Sequence, residues 1–154
     1  MRVIGIGNPL RGDDAIGLLV ARRVRELAEP EVDVIEMEGE PARLIDAWQG
    51  ARLAVVVDAV KSNATEGTVI RIDATADPLP PTLSAPSTHA LGLGDAIEIA
   101  RALDRLPPQL IVYAIEGTHF QAGSVVSPAV AAAGQAVAEA VLREPERADA
   151  APKA

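Results

Sequence analysis

Carboxylate and imidazole side chains supply the chemistry that this sequence can perform. The stretch GIGNPLRGDD ends in two adjacent acids, Asp13 and Asp14, and the apolar run VVVD ends in Asp58. The chain has two histidines and no cysteine, so a metal site must use oxygen and nitrogen ligands. Such a mixed ligand set suits a divalent cation, and paired carboxylates also suit acid–base catalysis.

Asp58 is the most informative of these acids. A continuous β-branched run brings its carboxyl group to the end of a predicted buried strand, where an unpaired charge would be costly. The alternative is that Asp58 only caps a loop.

The two histidines, His89 and His119, have different expected roles. His89 follows a loop that contains four prolines and precedes a predicted helix, so we expect its imidazole to be held in place near Asp14 and Asp58. His119 follows the last predicted strand, and we expect it to be solvated.

The glycine-containing N-terminal stretch allows two other interpretations. As a dinucleotide fingerprint, GIGNPL has Leu10 in the third glycine's place, Glu36 as the ribose acid, and two acids facing the pyrophosphate, which argues against it. As a receiver domain, the acids would hold Mg²⁺ and Asp58 would accept a phosphoryl group. That pattern requires a lysine after strand five, where this chain has AIEG.

Hydrophobic periodicity predicts the elements that position these residues. Strands are predicted at Val3 to Ile6 and in the stretches VDVIEME, LAVVVDAV, GTVIRID and QLIVYAIEG. Helices are predicted after the GDD stretch with Asp13 or Asp14 as cap, in PARLIDAWQ, from about Leu91, and in SPAVAAAGQAVAEAVLRE with Ser127 as cap. We expect one domain over residues 1–144 and a frayed tail over 145–154.

The alternation of strands and helices predicts a mostly parallel α/β sheet with helices on both faces. LAVVVDAV is expected at its centre, and GTVIRID as an antiparallel neighbour or edge. Ligands bind beyond the carboxyl ends of the strands in such sheets. The acids expected at that edge are Asp13, Asp14, Glu38, Asp58 and Glu116.

Composition excludes several classes of function. A net charge of -8 and only three aromatic residues argue against nucleic-acid binding. No apolar run has membrane-spanning length, and the opening MRVIGIG predicts a strand rather than a secretory signal. A cytoplasmic protein without membrane insertion is expected.

Four motifs in order, GIGNPLRGDDAIG, VVVDAV, HALGLGD and AIEGTHFQAGSVVSPAV, make the chain resemble the hydrogenase maturation endopeptidases. These enzymes process the large subunit of nickel–iron hydrogenases. The resemblance covers nearly the whole chain. It implies a three-layer α/β/α sandwich of the phosphorylase/hydrolase-like type, with a mixed five-stranded sheet in the order 2-1-3-5-4 and strand four antiparallel.

The resemblance also assigns residues. It places the metal-contacting and catalytic set on Asp14, Asp58 and His89, although the first position is often Glu in the family. Asn8 is expected to tie the loop and Asp13 to cap or orient it. The structural or substrate-loop set is Gly7, Asn8, Asp13, Glu38 and Glu116, and Gly12 and Gly17 are expected to serve backbone shape.

The function implied is removal of the C-terminal extension of a nickel-loaded large-subunit precursor. Nickel would be carried by that precursor, with no permanent metal in the resting enzyme, and the enzyme is expected to be a monomer. Gly117, where the family often has Pro, and the stretch EMEGEP depart from the common pattern in regions suited to substrate selection. The alternatives are a non-catalytic maturation or binding module of the same fold, and the Mg²⁺-dependent receiver-like domain.

Overall fold

A mixed five-stranded sheet forms the centre of the fold. A computed structural model of the protein describes residues 1–38, 41–81 and 92–150. The strands are β1 (Arg2–Ile6), β2 (Asp33–Met37), β3 (Leu53–Val60), β4 (Val69–Asp73) and β5 (Gln109–Glu116). Their order is β2-β1-β3-β5-β4, and β4 alone runs antiparallel, against β5. The predicted order, the central β3 and the edge position of β4 are confirmed.

Helices cover both faces of the sheet. They are α1 (Ile16–Leu27), α2 (Pro41–Ala47), α3 (Leu93–Ala102), α4 (Pro128–Leu142) and α5 (Glu144–Ala150), and a 3-10 turn at Gly12–Ala15 precedes α1. Helix α1 packs beside α4, and α2 packs beside α3. Within the described ranges, no helix is long and apolar enough to cross a bilayer.

Two aliphatic cores lie on the two faces of the sheet because successive side chains of a strand point to opposite faces. Ala54 and Val56 of β3 belong to the core under α2 and α3. Leu53, Val55 and Val57 belong to the core under α1 and α4. All five side chains are buried, as the uninterrupted apolar run of β3 predicts.

Gly17 lets α1 lie directly on the sheet. A Cβ atom at this position would lie 2.1 Å from the carbonyl oxygen of Ile6 and 2.4 Å from that of Val57. Any larger residue would therefore push the helix away from β1 and β3. This close approach holds the 3-10 turn, with Asp13 and Asp14, against the carboxyl ends of the parallel strands.

The C-terminal segment corrects one expectation. Residues 145–154 were expected to fray, but α5 continues to Ala150. Residues 151–154 lie outside the described ranges. The first residue of α5, Glu144, is fully buried and accepts two hydrogen bonds from Arg71 of β4, at 2.8 and 2.7 Å. Tyr113 donates to the same carboxylate at 2.5 Å, and Arg147 donates at 3.1 Å. This network attaches α5 to the sheet.

The network also determines the ionisation of its members. Burial alone would raise the pKa of Glu144, but hydrogen bonds from Arg71 and Tyr113 and the charges of Arg71 and Arg147 outweigh it and lower the pKa. Burial and the hydrogen bond to Glu144 raise the pKa of Tyr113 to about 12. Glu144 is therefore a buried anion whose charge depends on its arginine partners.

Candidate functional site

The loop between β1 and α1 forms one wall of the candidate site. The Asn8 side chain accepts a hydrogen bond from the Leu10 backbone at 2.9 Å, and the Asn8 backbone donates to the Asp14 carbonyl at 3.2 Å. Asn8 thus ties the loop, as expected. A Cβ atom at Gly7 would lie 2.0 Å from the same Asp14 carbonyl oxygen, so only glycine permits this fold of the loop.

Asp13 has a structural role that differs from helix capping. The N-cap of α1 is Ala15, without a side-chain cap. Asp13 is fully buried, and its Oδ2 accepts hydrogen bonds from the backbone of Thr118 and His119, both at 2.9 Å. Its Oδ1 accepts from the backbone and hydroxyl of Ser127 at 2.8 and 2.9 Å. Asp13 therefore orients the segment that follows β5.

The same contacts explain two further features. Ser127 stands at the N-cap position of α4, as expected, yet its hydroxyl bonds to Asp13 and makes no cap. Burial alone would raise the pKa of Asp13, but its hydrogen bonds from Ser127, His119 and Thr118 lower the pKa overall. Asp13 is therefore a fixed negative charge beside Asp14.

Asp14 and Asp58 come together at the carboxyl edge of the sheet. Asp58 lies within β3, opposite Ala114 of β5, and its Oδ1 accepts the Ala59 backbone N–H at 2.8 Å. Burial, followed by the negative charge of Asp14, raises the pKa of Asp58 to about 7 against the opposing hydrogen bond from Ala59. The two predicted residues are thus electrostatic neighbours, although 44 positions separate them in sequence.

The third member of the predicted set, His89, lies in residues 82–91, outside the described ranges. Its placement beside Asp14 and Asp58 stays a prediction.

The remaining acids of this edge have other surroundings. Glu116, nearly fully buried, accepts the backbone N–H and hydroxyl of Ser62 at 2.8 and 2.7 Å and so fastens the β3–β4 loop, residues 61–68. Glu38 is exposed at the end of β2. Glu36 binds Arg22 and Arg25, at 2.8 and 2.7 Å. Glu36, the residue that would bind the ribose of a dinucleotide, is therefore already paired with two arginines.

His119 is exposed, as expected, but it is not merely solvated. Its side chain is 58% exposed, while Nδ1 lies 2.9 Å from the Thr118 hydroxyl, 3.3 Å from Glu66 Oε1 and 3.6 Å from Asp13 Oδ2. Sequence reasoning missed Glu66 and Thr118. Glu66 gave no signal because it lies in a loop far along the chain from its partners.

Comparison with known proteins identifies the family. The chain matches the family model described as "HycI: Hydrogenase maturation protease" over residues 19–144. The chain belongs to the hydrogenase maturation protease family. The match includes Asp58 and His89 and begins after Asp14. The interpretation of Asp13 and Asp14 therefore depends on the geometry described above. No curated protein sequence matches the chain.

Solved structures agree with this assignment. A [NiFe] hydrogenase maturation protease HycI from Thermococcus kodakarensis KOD1 has 27% identity and a TM-score of 0.73, over 92% of this chain and 89% of that one. The hydrogenase maturating endopeptidase HybD from E. coli has 21% identity and a TM-score of 0.77, over 96% and 92%. An endopeptidase from Escherichia coli has 23% identity and a TM-score of 0.78, over 94% of each. As a hydrogenase maturation protease, the protein is a peptide-bond hydrolase.

Asp58 of this hydrogenase maturation protease is expected to titrate near neutrality. In metal-free protein, a ¹³C-detected titration should find Asp58 half-protonated at a pH of about 7. Asp14→Asn should move that midpoint lower because it removes the second of the two causes that raise it. Asp46→Asn, at an exposed ion pair with Arg105, is the control and should leave it unchanged. An Asp58 midpoint near 4 in the wild type would contradict the arrangement.

Proposed function

We propose that this protease removes the C-terminal extension of a nickel-loaded hydrogenase large-subunit precursor, and that Asp14, Asp58 and His89 contact the nickel that the precursor carries. Membership of the family supports the reaction class. The observation that supports the two carboxylates most directly is the effect of the Asp14 charge on Asp58 at the ligand-binding edge of the sheet.

The negative charge of Asp14 acts against ionisation of Asp58. The raised pKa of Asp58 reflects burial of its charge and repulsion from Asp14. A divalent cation supplied by the substrate reverses both effects because it attracts each carboxylate and favours its ionised form. Nickel accepts carboxylate oxygen and imidazole nitrogen, which are the ligands that the proposed set offers.

This arrangement suits hydrolysis of a peptide bond close to the nickel. The precursor's nickel would polarise the scissile carbonyl, and a water molecule would attack the carbonyl carbon. The Asp58 carboxylate would take the proton released by the water and return it to the departing amine. The peptide C–N bond then breaks, and the extension leaves with a new amino terminus.

Substrate-carried nickel would also make metal loading a checkpoint. A precursor without nickel brings no metal cation to Asp14 and Asp58. The resting enzyme on this proposal holds no permanent metal at the pair. Glu38, exposed at the same edge, and the stretch after β5 are the proposed places for precursor selection.

The experiment is incubation of the full chain with purified precursor, with and without nickel, followed by intact-mass measurement. We expect loss of a C-terminal fragment from the nickel-loaded precursor alone. Equal cleavage of nickel-free precursor would contradict the nickel requirement. Binding without any loss of mass would instead identify a non-catalytic module. Incorporation of phosphate at Asp58 from a small phosphodonor with Mg²⁺ would identify the receiver-like alternative.

A further inference from the structure

Three segments of the chain meet around the imidazole of His119. Asp13 comes from the β1–α1 loop, Glu66 from the β3–β4 loop, and Thr118 and His119 from the stretch after β5. One nitrogen, one Asp13 oxygen and one Glu66 oxygen all lie within 4.8 Å of one another. The Thr118 hydroxyl contacts both His119 Nδ1 and the Glu66 carboxylate. This His119 cluster is distinct from the pair Asp14 and Asp58.

Two separations in the His119 cluster are close to the edges of a metal coordination shell. Ligand atoms about 2.1 Å from a cation, at angles between octahedral and tetrahedral, lie about 3.0 to 3.4 Å from one another. His119 Nδ1 lies 3.3 Å from Glu66 Oε1 and 3.6 Å from Asp13 Oδ2. The Asp13 and Glu66 oxygens lie within 4.8 Å of each other, so a small cation would draw the partly exposed Glu66 and His119 side chains toward the buried Asp13.

The charge of the His119 cluster also favours a bound cation. Across residues 1–38, 41–81 and 92–150, no lysine or arginine forms an ion pair with Asp13 or Glu66. Asp13 is a buried anion fixed by four hydrogen bonds, while the Glu66 and His119 side chains are 29% and 58% exposed. The cluster thus combines a fixed charge with two ligands that can adjust, and a cation can reach it from solvent.

We propose that His119 Nδ1, the Glu66 carboxylate and Asp13 Oδ2 form a second site, which binds a divalent transition-metal cation such as Zn²⁺. The imidazole favours Zn²⁺, Co²⁺ or Ni²⁺ over Mg²⁺ and Ca²⁺, which prefer oxygen ligands alone. A cation there links the β1–α1 loop, the β3–β4 loop and the stretch after β5. It thereby fixes the backbone beside Asp14 without belonging to the proposed nickel contact.

The test separates this site from the proposed nickel contact. The starting protein is the full chain carrying Asp58→Asn and His89→Gln, which removes two of the three proposed nickel-contacting residues. Zn²⁺ is titrated at a pH of about 7.5 and followed by calorimetry and by the ¹⁵N signals of the single remaining histidine. We expect one Zn²⁺ per chain and a shift of the His119 ring signals.

Further variants of this background identify the ligands. His119→Gln should abolish the binding, and Glu66→Gln should weaken it by about tenfold or more. Glu26→Gln, at an exposed ion pair with Arg23, is the matched control and should leave Zn²⁺ affinity unchanged. Circular dichroism checks that each variant folds.

Several results would overturn the site. These are no Zn²⁺ binding by the background protein, equal affinity after His119→Gln, or His119 ring signals that do not change on addition of Zn²⁺. Because no precursor is present, failure of the peptidase proposal would leave this result unaffected.

Discussion

Replacement of Asp58 by asparagine should abolish precursor processing and yet stabilise the protein at alkaline pH. Asparagine keeps the Oδ1 acceptor that holds the Ala59 backbone N–H, so the local fold is retained. It loses the charge that the proposal uses to engage nickel and to move a proton. We expect cleavage of nickel-loaded precursor to fall by about a hundredfold or more, the range lost with a positioned acid–base group.

The stability effect follows from the direction of the pKa shift. Folding raises the pKa of Asp58 from 3.8 to about 7. The contribution of Asp58 to the stability of the folded protein is therefore fully present below the pKa of the unfolded chain and is lost as pH rises through about 7. The asparagine side chain of the variant does not titrate and avoids this loss. We therefore compare the free energy of unfolding of the variant with that of the wild type. Because Asp58 is only partly buried, we expect this difference to increase by on the order of 2 kcal/mol between about pH 5 and about pH 8.

Urea unfolding at the two pH values and a processing assay on the same preparations check both halves of this prediction. Asp46→Asn is the matched control because Asp46 is an exposed aspartate of α2 that forms an ion pair with Arg105. It should process precursor normally and show the same pH dependence as the wild type. Full processing by Asp58→Asn would contradict the proposed chemistry. A stability difference between variant and wild type that does not change with pH would show that the pKa of Asp58 is not raised by folding.

Replacement of Arg71 by methionine should cause a large loss of stability. Glu144 is fully buried, and Arg71 holds both of its oxygens, at 2.8 and 2.7 Å. Without Arg71, the carboxylate keeps Tyr113 and the half-exposed Arg147 as partners. Loss of its bidentate partner leaves the buried charge of Glu144 only partly compensated, and we expect the free energy of unfolding to fall by about 3 kcal/mol.

Two further variants distinguish the effect of the buried Glu144 charge on stability from the effect of losing any arginine. Arg23→Met removes an exposed ion pair with Glu26 on α1 and should cost less than about 1 kcal/mol. Adding Glu144→Met to Arg71→Met removes the stranded charge and should restore much of the stability. Urea unfolding curves measure all of these variants. Equal losses for Arg71→Met and Arg23→Met would show that Glu144 is not held as a buried anion.

Local patterns in the sequence predicted most of the fold because they depend on neighbouring residues. The uninterrupted apolar run of β3 indicated burial on both faces, and its position in the middle of the sheet follows from that. The alternating pattern and short connection of GTVIRID indicated the antiparallel edge strand β4. Asp58 was identified for the same reason, since a charge inside an apolar run is visible from the sequence alone.

Contacts between distant residues were decided only by the tertiary structure. A charged segment starting at Glu144 looks like a solvated tail until Arg71, 73 positions earlier, is placed against it. Asp13 looks like a helix cap, but its partner Ser127 lies 114 positions away. His119 looks solvated until the fold brings Glu66 and Asp13 to it. Periodicity determines which face of an element is buried, whereas the partner of a buried charge depends on how separate elements pack.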